Sequence, residues 1–230
     1  MTSRLRPSGA ALVAALVLSA CTNAASRNVV LVTTPAPPPG ASTPIVRTGV
    51  SAVADSIRYG YVQADVDFMT GMIGHHAQAI KMAGWAPSHG ADPEVQRLCL
   101  RIINAQTDEI RTMQTWLRDH GKPAPEPDPN GVMMTMNGMQ HMMLMPGMLT
   151  PEQMAQLDAA RGRDFDRLFL TFMIQHHRGA MHMVDQLFGS PGAAQNDITF
   201  KFANDVQADQ GTEINRMQLM LQAMGAPAAP

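Results

Sequence analysis

The chain has 230 residues, with 17 Lys and Arg against 19 Asp and Glu and a formal net charge of −2. Nearly balanced charge without a basic patch argues against nucleic acid as a partner. Twenty methionines exceed what a packed core needs, and two cysteines leave little room for disulfides.

The chain opens on an address label. Arg4 and Arg6 precede an apolar run from Ala10 to Leu18 that is too short to span a membrane. The run ends in Leu18-Ser19-Ala20-Cys21, which resembles the lipobox of bacterial lipoproteins. That resemblance implies a signal peptide over 1–20, cleavage before Cys21, and acylation of the Cys21 thiol and new amino group. Acyl chains contribute roughly 0.8 kcal/mol per buried methylene, enough to anchor the protein to the outer face of a bacterial membrane, periplasmic or at the cell surface. The alternative is an ordinary signal peptide with an incidental Cys. Residues 21–55, rich in Pro, Ala and Thr with Pro35, Pro37, Pro38 and Pro39 at the centre, read as a tether. The folded domain is expected over 56–226.

The first helix is expected from about Tyr61 to Trp85. Wound at 100° per residue, Asp65, Phe68, Met72, His75, His76, Ala79, Met82 and Ala83 share one apolar face, with Gln78 and Lys81 away from its centre. Asp92-Pro93 signals the start of a second helix, which Gly121 and Pro123 close after about His120. Its stripe contains Cys99, which after removal of the leader has no partner and reads as a buried, inert thiol.

A connection over 121–150 follows, with Met133, Met134, Met136, Met139, His141, Met142, Met143, Met145 and Met148 among Asn137, Gly138, Pro146 and Gly147. It is expected as a flexible loop, since no stretch alternates clearly enough for a strand. Thr150-Pro151-Glu152 opens a short helix to about Ala160.

The third long helix, from about Arg163 to Phe188, repeats the first without a gap. Asp166, Phe169, Met173, Ile174, His176, His177, Ala180 and Met183 match Asp65, Phe68, Met72, Ile73, His75, His76, Ala79 and Met82. The fourth, from about Asp197 to Met224 before Gly225, repeats the second: Gln106, Glu109, Ile110 and Met113 match Gln210, Glu213, Ile214 and Met217. The unit is a helical hairpin, over about 61–120 and again over 162–224. Two copies make an all-α four-helix bundle. In an up-down-up-down topology the first and third helices run parallel, with their His-His pairs at similar depth.

Imidazoles on a core-facing side need partners. Adjacent helical residues do not face each other, so Met72 pairs better with His75 or His76, and Met173 with His176 or His177. A structural pair of buried histidines held by carboxylates is the plain alternative. Asp65, Asp166, Glu109 and Glu213 are then the expected groups that orient imidazole N–H. Thioether and imidazole donors together select Cu(I), and chemically similar Ag(I), over hard ions. A Cys-rich zinc site is excluded by the cysteine count. A di-iron site needs Glu three residues before His, where Met72 and Met173 stand.

The motifs Phe68-Met69-x-x-Met72-Ile73-x-His75-His76, Met145-Pro146-Gly147-Met148 and Phe169-Leu170-x-x-Met173-Ile174-x-His176-His177 resemble domain-of-unknown-function family 305. That group is bacterial and ferritin-like, and some of its members bind copper in the periplasm. The resemblance implies copper binding through Met72, His75, His76, Met82, Met173, His176, His177, Met183, Met145 and Met148. Met134, Met136, Met139, His141 and Met142 are additional candidates from the denser run. The expected function is sequestration, tolerance or delivery of Cu(I), with Cu(II) or Ag(I) as further ions and a copper-transfer protein as a partner. Two rivals are a metal-free interaction module gripping a protein through the Met-rich loop, and a metal-dependent redox enzyme. No nucleophile triad, nucleotide loop or di-iron motif favours the latter.

Overall fold

The computed structural model describes Ala54, Arg58, residues 60–136 and residues 138–225, without the side chains of 134–136. The expected signal peptide, Cys21 and nearly all of the tether lie outside the described residues. Within residues 60–136 and 138–225, five helices and one hairpin follow in order: α1 (Gln63–Gly84), α2 (Pro93–Asp119), β1 (Val132–Met136), β2 (Met139–Met143), α3 (Pro151–Ala159), α4 (Gly162–Gly189) and α5 (Asp197–Ala223). The helix starts are those the sequence marks. Asp92 accepts from the Glu94 amide at 2.7 Å with Pro93 behind it, Thr150 accepts from Gln153 N, and Asn196 accepts from Ile198 N.

The four long helices pack as two hairpins, α1 with α2 and α4 with α5, joined across α1 and α4. Their direction corrects the expected topology. Asp65, at the start of α1, accepts from Ala194 N just beyond the end of α4, at 2.7 Å. Asp166, at the start of α4, accepts from Asp92 N just beyond the end of α1, at 3.1 and 3.2 Å. Helices α1 and α4 are therefore antiparallel. The His-His pairs still meet, because each sits near the middle of its helix. An approximate two-fold relation between the hairpins brings like residues together there.

The core divides accordingly. One hydrophobic cluster holds Met82, Leu98, Ile102, Phe165, Phe169, Met173 and Met217. The other holds Phe68, Met72, Met113, Trp116, Met183, Val184 and Phe202. Along α1 and α4 the histidines fall between the two clusters, so a polar layer crosses the bundle at mid-height.

The connection after α2 has to travel the length of the bundle to reach the start of α4. It contains the hairpin that sequence reading missed: β1 and β2 are antiparallel, with Met134 opposite His141 and Met136 opposite Met139. Gly138, at φ +79°, lies in the short connection between them. Gln78, expected away from the centre of the apolar face, is 1 % exposed and fastens this connection. It accepts from Leu149 N at 2.6 Å and donates to Leu149 O at 3.1 Å and Pro129 O at 3.2 Å.

Glycines set how closely the connection approaches. A Cβ on Gly179 would lie 2.0 Å from Pro146 O and 2.5 Å from Gly147 Cα, and one on Gly74 2.4 Å from a Val132 methyl. Gly211 in α5 has open space around it. Gly179→Ala is thus expected to displace the Met145–Met148 segment and to destabilise by roughly 1–3 kcal/mol, the usual range for overpacking. Gly211→Ala is expected to stabilise by about 0.5–1 kcal/mol through helix propensity. Denaturant melts of the two variants give the comparison; equal effects would contradict the close approach at Gly179.

Candidate metal centre

Four imidazoles form the middle layer. His75, His76, His176 and His177 are each 0 % exposed. The rings of His75 and His176 lie 3.8 Å apart across α1 and α4, tilted by 41°. Helix α2 supplies Glu109, whose Oε2 is 2.7 Å from His76 Nε2. Helix α5 supplies Glu213, whose Oε2 is 2.7 Å from His177 Nε2. The second contact is a hydrogen bond; the first is equally short but less well aligned. Pro146 O, from the connection, lies 3.0 Å from His75 Nε2.

These contacts leave the opposite ring nitrogens bare. His75 Nδ1, His76 Nδ1, His177 Nδ1 and both nitrogens of His176 are buried without a hydrogen-bond partner. Where Nε2–H donates to Glu213 or Pro146, Nδ1 carries a lone pair directed into the protein. A buried unsatisfied polar group costs about 1–3 kcal/mol, so a layer of them calls for an explanation. A bound cation supplies one, because each lone pair then gains a partner. Burial, followed by the neighbouring imidazole His76, drives His75 down to about 3, from an ordinary 6.5. Burial and the charges of His75, His177 and His76 push His176 well below that ordinary value. Neutral imidazole is the form that binds metal.

Sulfur flanks the layer on both sides. Met72 and Met173, one turn before the two pairs, are 0 % exposed and fall in opposite clusters. Met82 and Met183 are buried farther along the same helices. Among the described residues no three His, Cys, Asp or Glu side chains form a ready chelate. An ion here therefore has to draw on thioether sulfur or on rotation of the rings. Met148 is buried, and its Sδ accepts from Met145 N at 3.2 Å. Met145 Sδ lies 3.0 Å from where a Cβ on Gly71 would be.

The other candidates are elsewhere. Met139 is 62 % and Met142 50 % exposed, and His141 is also exposed. The Met134 and Met136 side chains lie outside the described residues. Register places Met139 and His141 on one face of the hairpin and Met142 on the other, with Met133. The exposed hairpin and the buried histidine layer are two donor sets in different environments.

Asp65 and Asp166 do not orient imidazoles. Each carboxylate accepts backbone N–H groups and clamps the turn of the other hairpin, as described above. Cys99 is buried, and burial, with Asp166 nearby, pushes its thiol up to about 12, as befits an inert side chain. Sequence reading missed the Pro146 carbonyl, which no side-chain pattern could reveal, and the close-approach glycines Gly71, Gly74 and Gly179. The Gly74 and Gly179 positions, each beside a His-His pair, were a signal open to use.

An antiparallel helical bundle with an internal hairpin repeat and a buried imidazole layer flanked by thioethers defines a Met- and His-rich four-helix protein. The chain belongs to the family described as domain of unknown function DUF305, which it matches over residues 65–222. It resembles a DUF305 protein of Streptomyces coelicolor at TM-score 0.61 and 29 % identity, over 73 % of this chain and 97 % of that one. A DUF305 fragment from Deinococcus radiodurans gives 0.58 and 26 %, over 71 % and 98 %. CopM in its Cu(I)-bound form gives 0.53 and 27 %, over 70 % and 96 %. CopM is also seen with Cu(II) and with Ag, so copper and silver binding occur on this fold within the family. An uncharacterised protein of Acanthamoeba polyphaga mimivirus is 38 % identical over 53 residues, which span 23 % of this chain and 35 % of that protein.

Buried neutral imidazoles make stability depend on pH. Unfolded histidines take up protons near 6.5, whereas folded His75 does so only near 3. Between those values the unfolded chain binds more protons, so metal-free stability falls as pH drops through that window. Asp65 and Asp166, whose carboxyls burial raises above 3.8, act in the opposite sense toward its acid end. The His75→Leu/His176→Leu variant is expected to show a shallower loss between about pH 6.5 and 4.5 in denaturant melts. Parallel curves for the two proteins would mean that these rings titrate alike in both states.

Proposed function

We propose that this is an exported, lipid-anchored protein that binds Cu(I) in the histidine layer and serves sequestration, tolerance or delivery rather than catalysis. The observation that carries the reading is the set of fully buried imidazoles with ring nitrogens that lack partners. Met72 and Met173 beside them add soft sulfur, which favours Cu(I) or Ag(I), and imidazole also accommodates Cu(II). Glu109 and Glu213 hold the orientation of the His76 and His177 rings. The exposed hairpin methionines, with Met145 and Met148 between hairpin and core, suit capture and exchange with a copper-transfer protein.

Export and anchoring rest on the leader and Cys21. The likeness to a Streptomyces coelicolor protein described as secreted supports an extracytoplasmic place. Among the described residues no helix is long and apolar enough to cross a membrane. A role in docking a protein partner is the second reading, favoured by the exposed Met139 and Met142.

Anaerobic Cu(I) titration of the chain against a competing chelator is the test. Glu109→Gln/Glu213→Gln is expected to weaken binding by roughly 10–100-fold, the usual effect of removing groups that orient metal-bound histidines. His75→Leu/His176→Leu is expected to weaken it further. Affinity unchanged in the histidine variant, with its fold intact by circular dichroism, would exclude the layer as the site.

A further inference from the structure

A second group of donors lies between α2 and α5, and the proposed copper site draws on it only through the Glu109 and Glu213 oxygens that meet the imidazoles. The two helices border a cleft of about 340 Å³ whose wall includes Arg101, Gln106, Glu109, Asp209, Gln210 and Glu213. Gln106 and Glu109 are one turn apart on α2, and Gln210 and Glu213 hold the repeat-related positions on α5. The cleft therefore follows the same approximate symmetry as the histidine layer.

Two observations point to a ligand. First, Gln106 is 2 % and Gln210 3 % exposed. Both amide atoms of Gln106 and the Oε1 of Gln210 lack a hydrogen-bond partner. Second, the negative charge is under-compensated. Among the described residues that line the cleft are the acidic Glu109, Asp209 and Glu213, and Arg101 is the one Lys or Arg. Each glutamate commits Oε2 to an imidazole, which leaves its Oε1. Ordered water alone would pair the amides and leave the charge.

We propose that this cleft binds a hard divalent cation through the amide oxygens of Gln106 and Gln210 and the carboxylates of Glu109 and Glu213, with Asp209 at the mouth. The donors are all oxygen, the set that suits Mg²⁺, Ca²⁺ or Mn²⁺ and not Cu(I). The carboxylates do not converge into a ready chelate among the described residues. The ion accordingly keeps part of its water shell, as Mg²⁺-like ions do. At about 30 Å³ per water the cleft has room for it.

The test is titration of the metal-stripped full chain with Mn²⁺, following the free-ion signal by electron paramagnetic resonance. The expected result is one Mn²⁺ per chain, displaced by excess Mg²⁺ or Ca²⁺. Asp209→Asn and Gln106→Leu/Gln210→Leu should each weaken it at least tenfold, and the exposed Asp108→Asn should leave it unchanged. The leucine pair replaces unpaired amides by apolar groups of similar size, so the fold should persist, as circular dichroism will register. The carboxamide at 209 is at the surface and gives a second, structurally mild reading. No saturable Mn²⁺ binding, or binding equal in all four proteins, overturns the proposal. Cu(I) affinity is measured separately, so either reading can fail without the other.

Discussion

The fold turns on the burial of four imidazoles between two hydrophobic clusters. An apolar layer at the same height would be simpler to stabilise, because every ring nitrogen placed there must find a partner or remain unsatisfied. Two carboxylates and one carbonyl satisfy part of this need from one direction. They fix the rings without neutralising them, and the free nitrogens point the other way. Rings held in this manner can accept a cation without first giving up a proton, since burial already keeps His75 and His176 unprotonated.

The approximate two-fold relation explains how a duplicated hairpin produces one layer. Each copy contributes a His-His pair on its first helix and a glutamate on its second. Antiparallel packing of α1 and α4 places those elements face to face. The same relation turns Asp65 and Asp166 into reciprocal clamps, each holding the turn of the other copy. The connection breaks the symmetry. It crosses from the end of α2 to the start of α4, and His75 alone receives the Pro146 carbonyl. Gly74 and Gly179 let it lie against the helices at the depth of the imidazoles, so the crossing also seals the layer from water.

Most of the helical architecture was legible in the sequence, because caps such as Asp92-Pro93 and Thr150-Pro151 and the 3.6-residue apolar stripes all point the same way. The glutamate partners were legible too, since the repeat places Glu109 and Glu213 on matching helices. Direction was not. A repeat tells which residues correspond, whereas parallel and antiparallel packing bring the same middle residues together. Asp65 and Asp166 were misread for a related reason: their register with the histidines is helical, but they lie about three turns away, where the nearest unsatisfied groups are backbone amides. The hairpin was obscured by methionine, which lacks the β-branching that marks strands. Asn137-Gly138 between runs of similar length was the stronger clue and outweighs side-chain propensity here.

Glu109 and Glu213 tie the two polar regions together. One oxygen of each is spent on an imidazole, and each side chain also forms part of the cleft wall between α2 and α5. A carboxylate that accepts from imidazole N–H makes the other ring nitrogen a better donor, and any positive charge beside that carboxylate weakens the effect. The cleft and the histidine layer are therefore linked through two short side chains and no movement of the backbone. Linkage of this kind acts equally in both directions, so whatever occupies one site alters affinity at the other by the same factor. If the histidine layer holds a soft ion as proposed and has to release it, the glutamates are where those opposing demands meet.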